Sequence, residues 1–283
     1  VTIAGVGMMG GSLGLALREK KLAGEVMGWG RNEDKLRAAR KMRALDSWTL
    51  NREEALKNSE LLVLATPVGV TARIGPEWIA AAPGRCLVTD LGSVKGKEVE
   101  RLTRLAVSPR AYVSSHPLCG SEKTGISAAR SDLFENRICL LTPVAATRKS
   151  ALGEMQRFWQ YLGMRVFALA PARHDRIVAS VSHLPHLLAA ALVNRVGDEK
   201  LLPYTGTGFR DATRIAASDE GLWTGIIDRN RKEVIRELQR FGKDLDSLEK
   251  LIESGESATL KSWLRKAQLR RRKLELVFEQ DDR

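Results

Sequence analysis

Ser115-His116-Pro117-Leu118-Cys119-Gly120-Ser121-Glu122 packs a histidine, a proline, a glycine and a carboxylate into one short stretch. It follows the β-forming run Ala111-Tyr112-Val113 after one intervening serine. A histidine at a strand end, with turn-forming residues after it, reads as a side chain held out of a rigid scaffold into a cleft. Imidazole titrates near neutrality, so His116 suits the task of polarising a hydroxyl and taking its proton. A second group of polar residues interrupts an apolar stretch at Ser182-His183-Leu184-Pro185-His186. Ser182 and His186 are four apart and share a helical face, and Pro185 should kink or open that helix. Histidines in such a setting are costly unless they have partners or face a cavity. Further ligands at metal-binding spacing are missing, so no metal site is expected. A structural, hydrogen-bonded pair is the alternative to a substrate-facing one.

A cofactor is indicated upstream. Residues 1–6 form a buried-strand run, and Gly5-Val6-Gly7-Met8-Met9-Gly10 follows without a gap into the helical stretch 13–17. In such a turn Gly5 permits the bend, Gly7 lets the backbone approach a pyrophosphate, and Gly10 lets helix and strand pack closely. The helix N-terminus then offers free N–H groups to the phosphates. A second strand, 25–29, ends in Gly30-Arg31-Asn32 with no acid to hold a ribose 2′-hydroxyl. Arg31 can pair with a 2′-phosphate instead, so NADP is the expected cofactor and NAD the alternative.

Further strands at 60–65 and 86–89 end in Thr66-Pro67 and in Asp90-Leu91-Gly92-Ser93-Val94-Lys95, with helices at about 71–81 and 95–106. This rhythm predicts an α/β, Rossmann-like, doubly wound and mainly parallel sheet. Ligands bind at the carboxyl ends of strands in such sheets, where Thr66, Pro67, Ser93 and His116 fall. Ser93 also fits a helix N-cap, and the two roles are compatible. Two more strands, 136–141 and 164–169, flank a helix at 152–161. From 171 onward every pattern is helical: 174–194, then 219–252 with a break near Gly242, then 257 onward. The expected division is therefore a dinucleotide-binding domain, 1–170, and an all-α substrate and dimerisation domain, 171–283. Asp211 and Arg214 should support one another on a turn between these helices. The long apolar stripes exceed what a small core needs and imply a homodimer through the C-terminal helices.

Composition limits the alternatives. The 283 residues carry a net charge of +12, which suits an anionic small-molecule substrate. The densest basic block, Arg265 to Lys273, alternates with Leu264, Leu269 and Leu274 at helical spacing, as on the outer face of an amphipathic helix. No nucleic-acid motif accompanies it, and no nucleic-acid partner is expected. No run of apolar residues reaches membrane-spanning length, so no membrane association is expected. The three cysteines lie far apart in no CxxC pair, consistent with reduced thiols and a cytoplasmic location.

Taken together, Gly5–Ser12, Asp90–Lys95, His116–Glu122, Ser182–His186 and Phe209–Arg214 resemble the prephenate dehydrogenase family, arogenate dehydrogenases included. The resemblance runs through almost the whole chain in order. It implies oxidative decarboxylation of prephenate to 4-hydroxyphenylpyruvate in tyrosine biosynthesis, with arogenate as the other family substrate. By that resemblance His116 is the catalytic histidine at the ring hydroxyl and Ser93 assists it. Arg214 binds the ring carboxylate, Ser182 and His186 lie near the substrate, and Glu122 is an acid at the mouth of the site. Two other readings compete. One is a 3-hydroxyacid dehydrogenase or imine reductase, which would leave the 182–186 histidines unexplained. The other is an NADP-sensing regulator, which would need neither Ser93 nor His116.

Overall fold

A computed structural model describes residues 1–106 and 111–279, the side chains of 276–279 excepted. The chain divides into two compact units, Val1–Arg231 and Lys232–Arg283.

The first unit opens with alternating strands and helices: β1 (Thr2–Ala4), α1 (Met8–Glu19), β2 (Met27–Trp29), α2 (Glu33–Lys41), β3 (Ser47–Thr49), α3 (Arg52–Leu56) and β4 (Leu61–Leu64). It continues through α4 (Val68–Ala81), β5 (Leu87–Asp90), α5 (Glu98–Leu105) and β6 (Ala111–Tyr112). These strands make one parallel sheet in the order β3-β2-β1-β4-β5-β6. The order reverses at β1, which puts a ligand crevice between β1 and β4. Both faces are covered at β4, which is apolar throughout, and its neighbouring residues enter different cores. Val63 joins Ile3, Leu13, Leu17 and Trp159 on one face. Leu62 and Leu64 join Trp78, Ile79 and Leu102 on the other.

The chain then leaves this sheet. β7 (Ser115–Leu118), β8 (Ile138–Leu141), α6 (Lys149–Tyr161) and β9 (Arg165–Ala168) follow, and the strands form a separate sheet in the order β7-β8-β9. β7 and β8 are antiparallel, with His116 opposite Leu140. His116 therefore lies inside β7 and not at a strand end of the parallel sheet, as the sequence pattern had suggested. Trp159 of α6 is fully buried and donates from Nε1 to Ser115 Oγ at 2.9 Å, which fixes β7 against the helix layer. Truncating such a residue to alanine costs roughly 3–5 kcal/mol.

From Pro171 on, every described element is helical: α7 (Pro171–Val178), a π turn at Ala179–His183, α8 (Leu184–Val196), α9 (Thr207–Thr213) and α10 (Glu220–Arg229). Pro185 stands at the start of α8, where a missing N–H costs little; the backbone opens in the π turn before it. Pro171–Val196 is apolar and long enough, by length and composition, to cross a membrane. The sequence expectation of no such stretch is corrected to that extent. Its polar side chains His174, Asp175, His183 and His186 are buried within the protein.

The second unit holds α11, which starts at Arg231 and runs to Glu253, and α12 (Ser257–Glu279). The break anticipated near Gly242 falls at Asn230 instead, and α11 passes through Gly242 intact. Leu238, Leu245 and Ile252 of α11, and Trp263, Leu264, Leu269 and Leu274 of α12, are exposed.

Candidate active site

At the β1–α1 turn Gly5 has φ +101°, a conformation that favours glycine. A Cβ on Gly10 would collide with the Gly5 carbonyl oxygen, so helix and strand touch there backbone to backbone. A Cβ on Gly7 would meet nothing within 4 Å, and Gly7 caps α1 with no side-chain hydrogen bond. The first turn of α1 thus presents N–H groups toward open space, a cradle that fits the pyrophosphate of a dinucleotide. Beyond β2, Arg31 is exposed, and among the described residues it makes no ion pair. Asn32 caps α2, its Oδ1 accepting from the Lys35 N–H at 3.0 Å. At the end of β4 the Thr66 and Thr71 hydroxyls pair at 2.8 Å, and Pro67 opens α4.

The loop after β5 is closed by a buried ion pair. Lys95 Nζ lies 2.9 Å from Asp90 Oδ2 and donates to the Ser115 carbonyl at 2.7 Å. Asp90 also accepts from the Tyr112 hydroxyl at 2.8 Å, the Ser114 hydroxyl at 2.6 Å and the Gly92 N–H at 2.8 Å. Burial alone would raise the Asp90 carboxyl; the Lys95 charge and these donors outweigh it and hold the group below its usual range. Ser93 sits half-buried within this loop. It is not a helix cap, because α5 begins at Glu98 behind Lys97. Its hydroxyl makes no hydrogen bond among the described residues.

His116 Nδ1 is 2.8 Å from His174 Nε2, and His174 Nδ1 is 2.8 Å from Asp175 Oδ1. The Asp175 carboxylate also accepts from the Lys95 N–H at 2.9 Å and the Gly96 N–H at 2.7 Å. Burial would raise that carboxyl too; the His174 ring and the two backbone donors overcome it and lower it. Asn230 Nδ2 donates to the Asp175 carbonyl at 2.8 Å and lies 3.2 Å from His183 Nδ1. Trp223 joins the next two rings: His186 stacks on it at 3.5 Å and 8°, and His183 meets it edge-on at 6.0 Å. The chain has four histidines, and all four are buried in this one region. Burial lowers each of them, His183 to about 4 and His116 well below its ordinary value, the latter helped by His174 and Lys95. Burial thus disfavours the charged form of every ring. His186 Nδ1 is buried and has no hydrogen-bond partner among the described residues.

Glu122 and Arg214 pair, Arg214 Nη1 donating to Glu122 Oε2 at 2.6 Å. The Asp211–Arg214 pairing expected on a helical turn is thereby replaced; α9 ends at Thr213 and Arg214 begins a tighter turn. Ser182 lies half-buried in the π turn. The Cys119 thiol is pushed up to about 12 by burial and Cys139 is raised likewise, which leaves neither as a nucleophile. Among the described residues no cluster of His, Cys, Asp and Glu could hold a metal ion. Sequence reasoning singled out His116, Ser93, Ser182, His186, Glu122 and Arg214, and missed His174, Asp175, Lys95, Asn230 and Trp223. The adjacent His174-Asp175 pair was the available signal, a histidine next to a carboxylate at the start of a helix.

The chain is similar to known proteins over both halves of its length. Residues 13–168 match the family model described as prephenate dehydrogenase, nucleotide-binding domain, and residues 170–266 match prephenate dehydrogenase, dimerization domain. A prephenate dehydrogenase of Bacillus subtilis is 29% identical over 266 residues, covering 92% of this chain and 72% of the relative. The structure is similar to that of prephenate dehydrogenase from Aquifex aeolicus in complex with hydroxyphenyl propionate and NAD+. There the identity is 32% and the TM-score 0.90, over 96% of this chain and 97% of the other. Synechocystis arogenate dehydrogenase is similar at 26% identity and a TM-score of 0.81, over 96% and 99% of the two chains.

Proposed function

The chain belongs to the prephenate dehydrogenase family, and from that premise we propose that it oxidises and decarboxylates prephenate to 4-hydroxyphenylpyruvate, a step of tyrosine biosynthesis. One observation carries the reading: a buried, neutral imidazole, His116, whose Nδ1 is engaged at 2.8 Å by His174. A neutral imidazole held at Nδ1 has Nε2 left to accept the ring hydroxyl proton.

The cofactor binds at the α1 turn through Gly5, Gly7 and Gly10, beside Thr66 and Pro67. A nicotinamide dinucleotide held there would supply the hydride-accepting chemistry for the ring carbon that carries the hydroxyl. Ser93, on the loop that Lys95 and Asp90 close, supplies a hydroxyl to orient the reacting oxygen. Arg214 pairs with the ring carboxylate, and Glu122 is the group it pairs with at 2.6 Å in the structure. A carboxylate that must leave as CO2 is better oriented than fully neutralised, and sharing Arg214 with Glu122 has that effect. Ser182 and His186 face the rest of the substrate; the unpartnered His186 Nδ1 supports that assignment.

The cofactor-binding part occupies residues 1–170 and the helical part 171–283. Arg31 beyond β2 favours NADP, with Asn32 beside it, since no acid at the strand end competes for a 2′-phosphate. NAD is the second reading, because the Aquifex aeolicus neighbour holds NAD+. Arogenate is the second substrate reading, because the Synechocystis neighbour is an arogenate dehydrogenase. The exposed apolar side chains of α11 and α12 are covered in a homodimer, in keeping with the dimerization-domain match.

The test is a spectrophotometric assay of the purified protein with prephenate and arogenate, each against NAD and NADP. The expected result is reduction of NADP with prephenate, and a fall in kcat on the order of a hundredfold or more in His116→Asn with an unchanged cofactor KM. No reduction with either substrate, or wild-type kcat in His116→Asn, overturns the reading.

A further inference from the structure

We propose that His174 and Asp175 are positioning residues for His116: they hold its imidazole as the tautomer protonated on Nδ1 and so reserve Nε2 as the acceptor. The inference rests on His116 being the proton acceptor. It adds two residues and a protonation pattern to that assignment.

The pattern follows from hydrogen-bond direction along the chain of three groups. Asp175 is an ionised carboxylate and can only accept. Oδ1 already takes the Lys95 N–H and Oδ2 the Gly96 N–H, both backbone groups with no alternative role. His174 must therefore donate from Nδ1 over its 2.8 Å contact with Asp175. In a neutral ring that leaves His174 Nε2 as a lone pair. His116 Nδ1, 2.8 Å from it, must then be the donor. The only unassigned ring nitrogen at the end of the series is His116 Nε2, and it carries no proton.

The anchoring is stiff for a physical reason. Asp175 ties α7 to the loop after β5 through backbone N–H groups, and Gly96 adopts φ +45° to supply one of them. Lys95, whose N–H Asp175 holds, also grips the carbonyl of Ser115, the residue before His116. The His116 backbone and its ring are thus referenced to the same two residues. Each charged or titratable group about the ring has a place in the scheme. Lys95 and Asp90 come from the β5 loop, His174 and Asp175 from α7, His183 from the π turn and Cys139 from β8. When His116 takes a proton on Nε2, both its nitrogens become donors, and the bond to His174 persists without rearrangement. Asp175, one ring further on, is the nearest negative charge in the series and favours that cation.

The test reads the tautomer directly. Protein labelled with 15N-histidine is examined by NMR at neutral pH, the His116 ring being identified by its loss in His116→Asn. The expected result is a protonated Nδ1 and an unprotonated Nε2; a proton on Nε2 overturns the proposal. His174→Phe removes the acceptor and should lower kcat on the order of a hundredfold with little change in cofactor KM. His174→Gln keeps an oxygen that can accept from Nδ1, and should retain at least about tenfold more kcat than His174→Phe. Equal kcat in the two variants overturns the proposal even where His174→Phe folds poorly. Asp175→Asn, which keeps only one acceptor oxygen, should lower the melting midpoint and also the kcat of the protein that remains folded; undiminished kcat removes Asp175 from the scheme. Failure of the underlying assignment looks different, since it shows as wild-type kcat in His116→Asn whatever the tautomer.

Discussion

Lys95 Nζ lies 2.7 Å from the carbonyl oxygen of Ser115, one residue before His116, while 2.9 Å away on its other side it meets Asp90. A buried cation thus links the end of β5 in the parallel sheet to β7 in the second sheet.

Lys95→Met should therefore be among the costliest single substitutions in the chain. It leaves the Asp90 carboxylate buried and without its counter-charge, a loss of about 3–5 kcal/mol. The double variant Lys95→Met/Asp90→Asn removes both charges and should recover much of that. Urea denaturation of the wild type and both variants measures it; a double variant no more stable than the single one refutes the account.

Arg214→Ala should raise the substrate KM by roughly tenfold or more and change kcat less, because the lost interaction is chiefly one of binding. Glu122→Gln should move KM in the opposite direction, since Arg214 would no longer be shared. Steady-state kinetics with prephenate decides, and an unaltered KM in Arg214→Ala removes the residue from carboxylate recognition.

Arg31→Asp exchanges a group that pairs with a 2′-phosphate for one that accepts from a 2′-hydroxyl. The ratio of kcat/KM for NADP to that for NAD should fall on the order of tenfold or more. An unchanged ratio dissociates Arg31 from cofactor choice.

Stability should drop as pH is lowered from about 6.5 toward 4. His183 titrates at about 4 in the folded protein, depressed chiefly by burial and further by His174 and His186, with Asp175 opposing. In the unfolded chain it titrates near 6.5, so between those values the unfolded state binds more protons and acid favours it. The contribution is complete above the upper value and lost by the lower one, on the order of 3 kcal/mol. His183→Gln removes this titration, and its urea midpoint should slope less steeply over that range. Parallel slopes for the two proteins would count against it.

The sequence made the cofactor half legible because its signals are local. Gly5, Gly7 and Gly10 occupy consecutive positions of one turn, and the apolar runs of β4 and β5 are buried on both faces. β3 was invisible since Ser47–Thr49 is three residues long and mostly half-buried. The departure of His116 from the parallel sheet was equally hidden, because a switch of sheet after Tyr112 depends on pairing with Leu140, far along the chain. The same limit explains the site. His116, His186 and Arg214 stand in recognisable strings, whereas His174 and Asp175 acquire their role from Lys95 and Gly96, about 80 positions away. Neither Ser93 as a cap nor Asp211 as the partner of Arg214 survived the actual start of α5 and end of α9, boundaries that local pattern fixes only loosely.

The π turn at Ala179–His183 sets the angular phase of the helix that carries three of the four histidines. An unbroken α-helix advances about 100° per residue, which would put His183 about 180° around the axis from His174 and His186 about 120° from it. A π turn accommodates one residue more than an α turn, in effect deducting about 100° from both separations. His186 then falls within about 20° of His174, and His183 within about 80°. The extra residue thus works as a timing correction that rotates the later histidines onto the side occupied by the first. Deleting Ser180 or Val181 from this turn would leave every side chain of the site in the chain and turn two of its rings away from the other two.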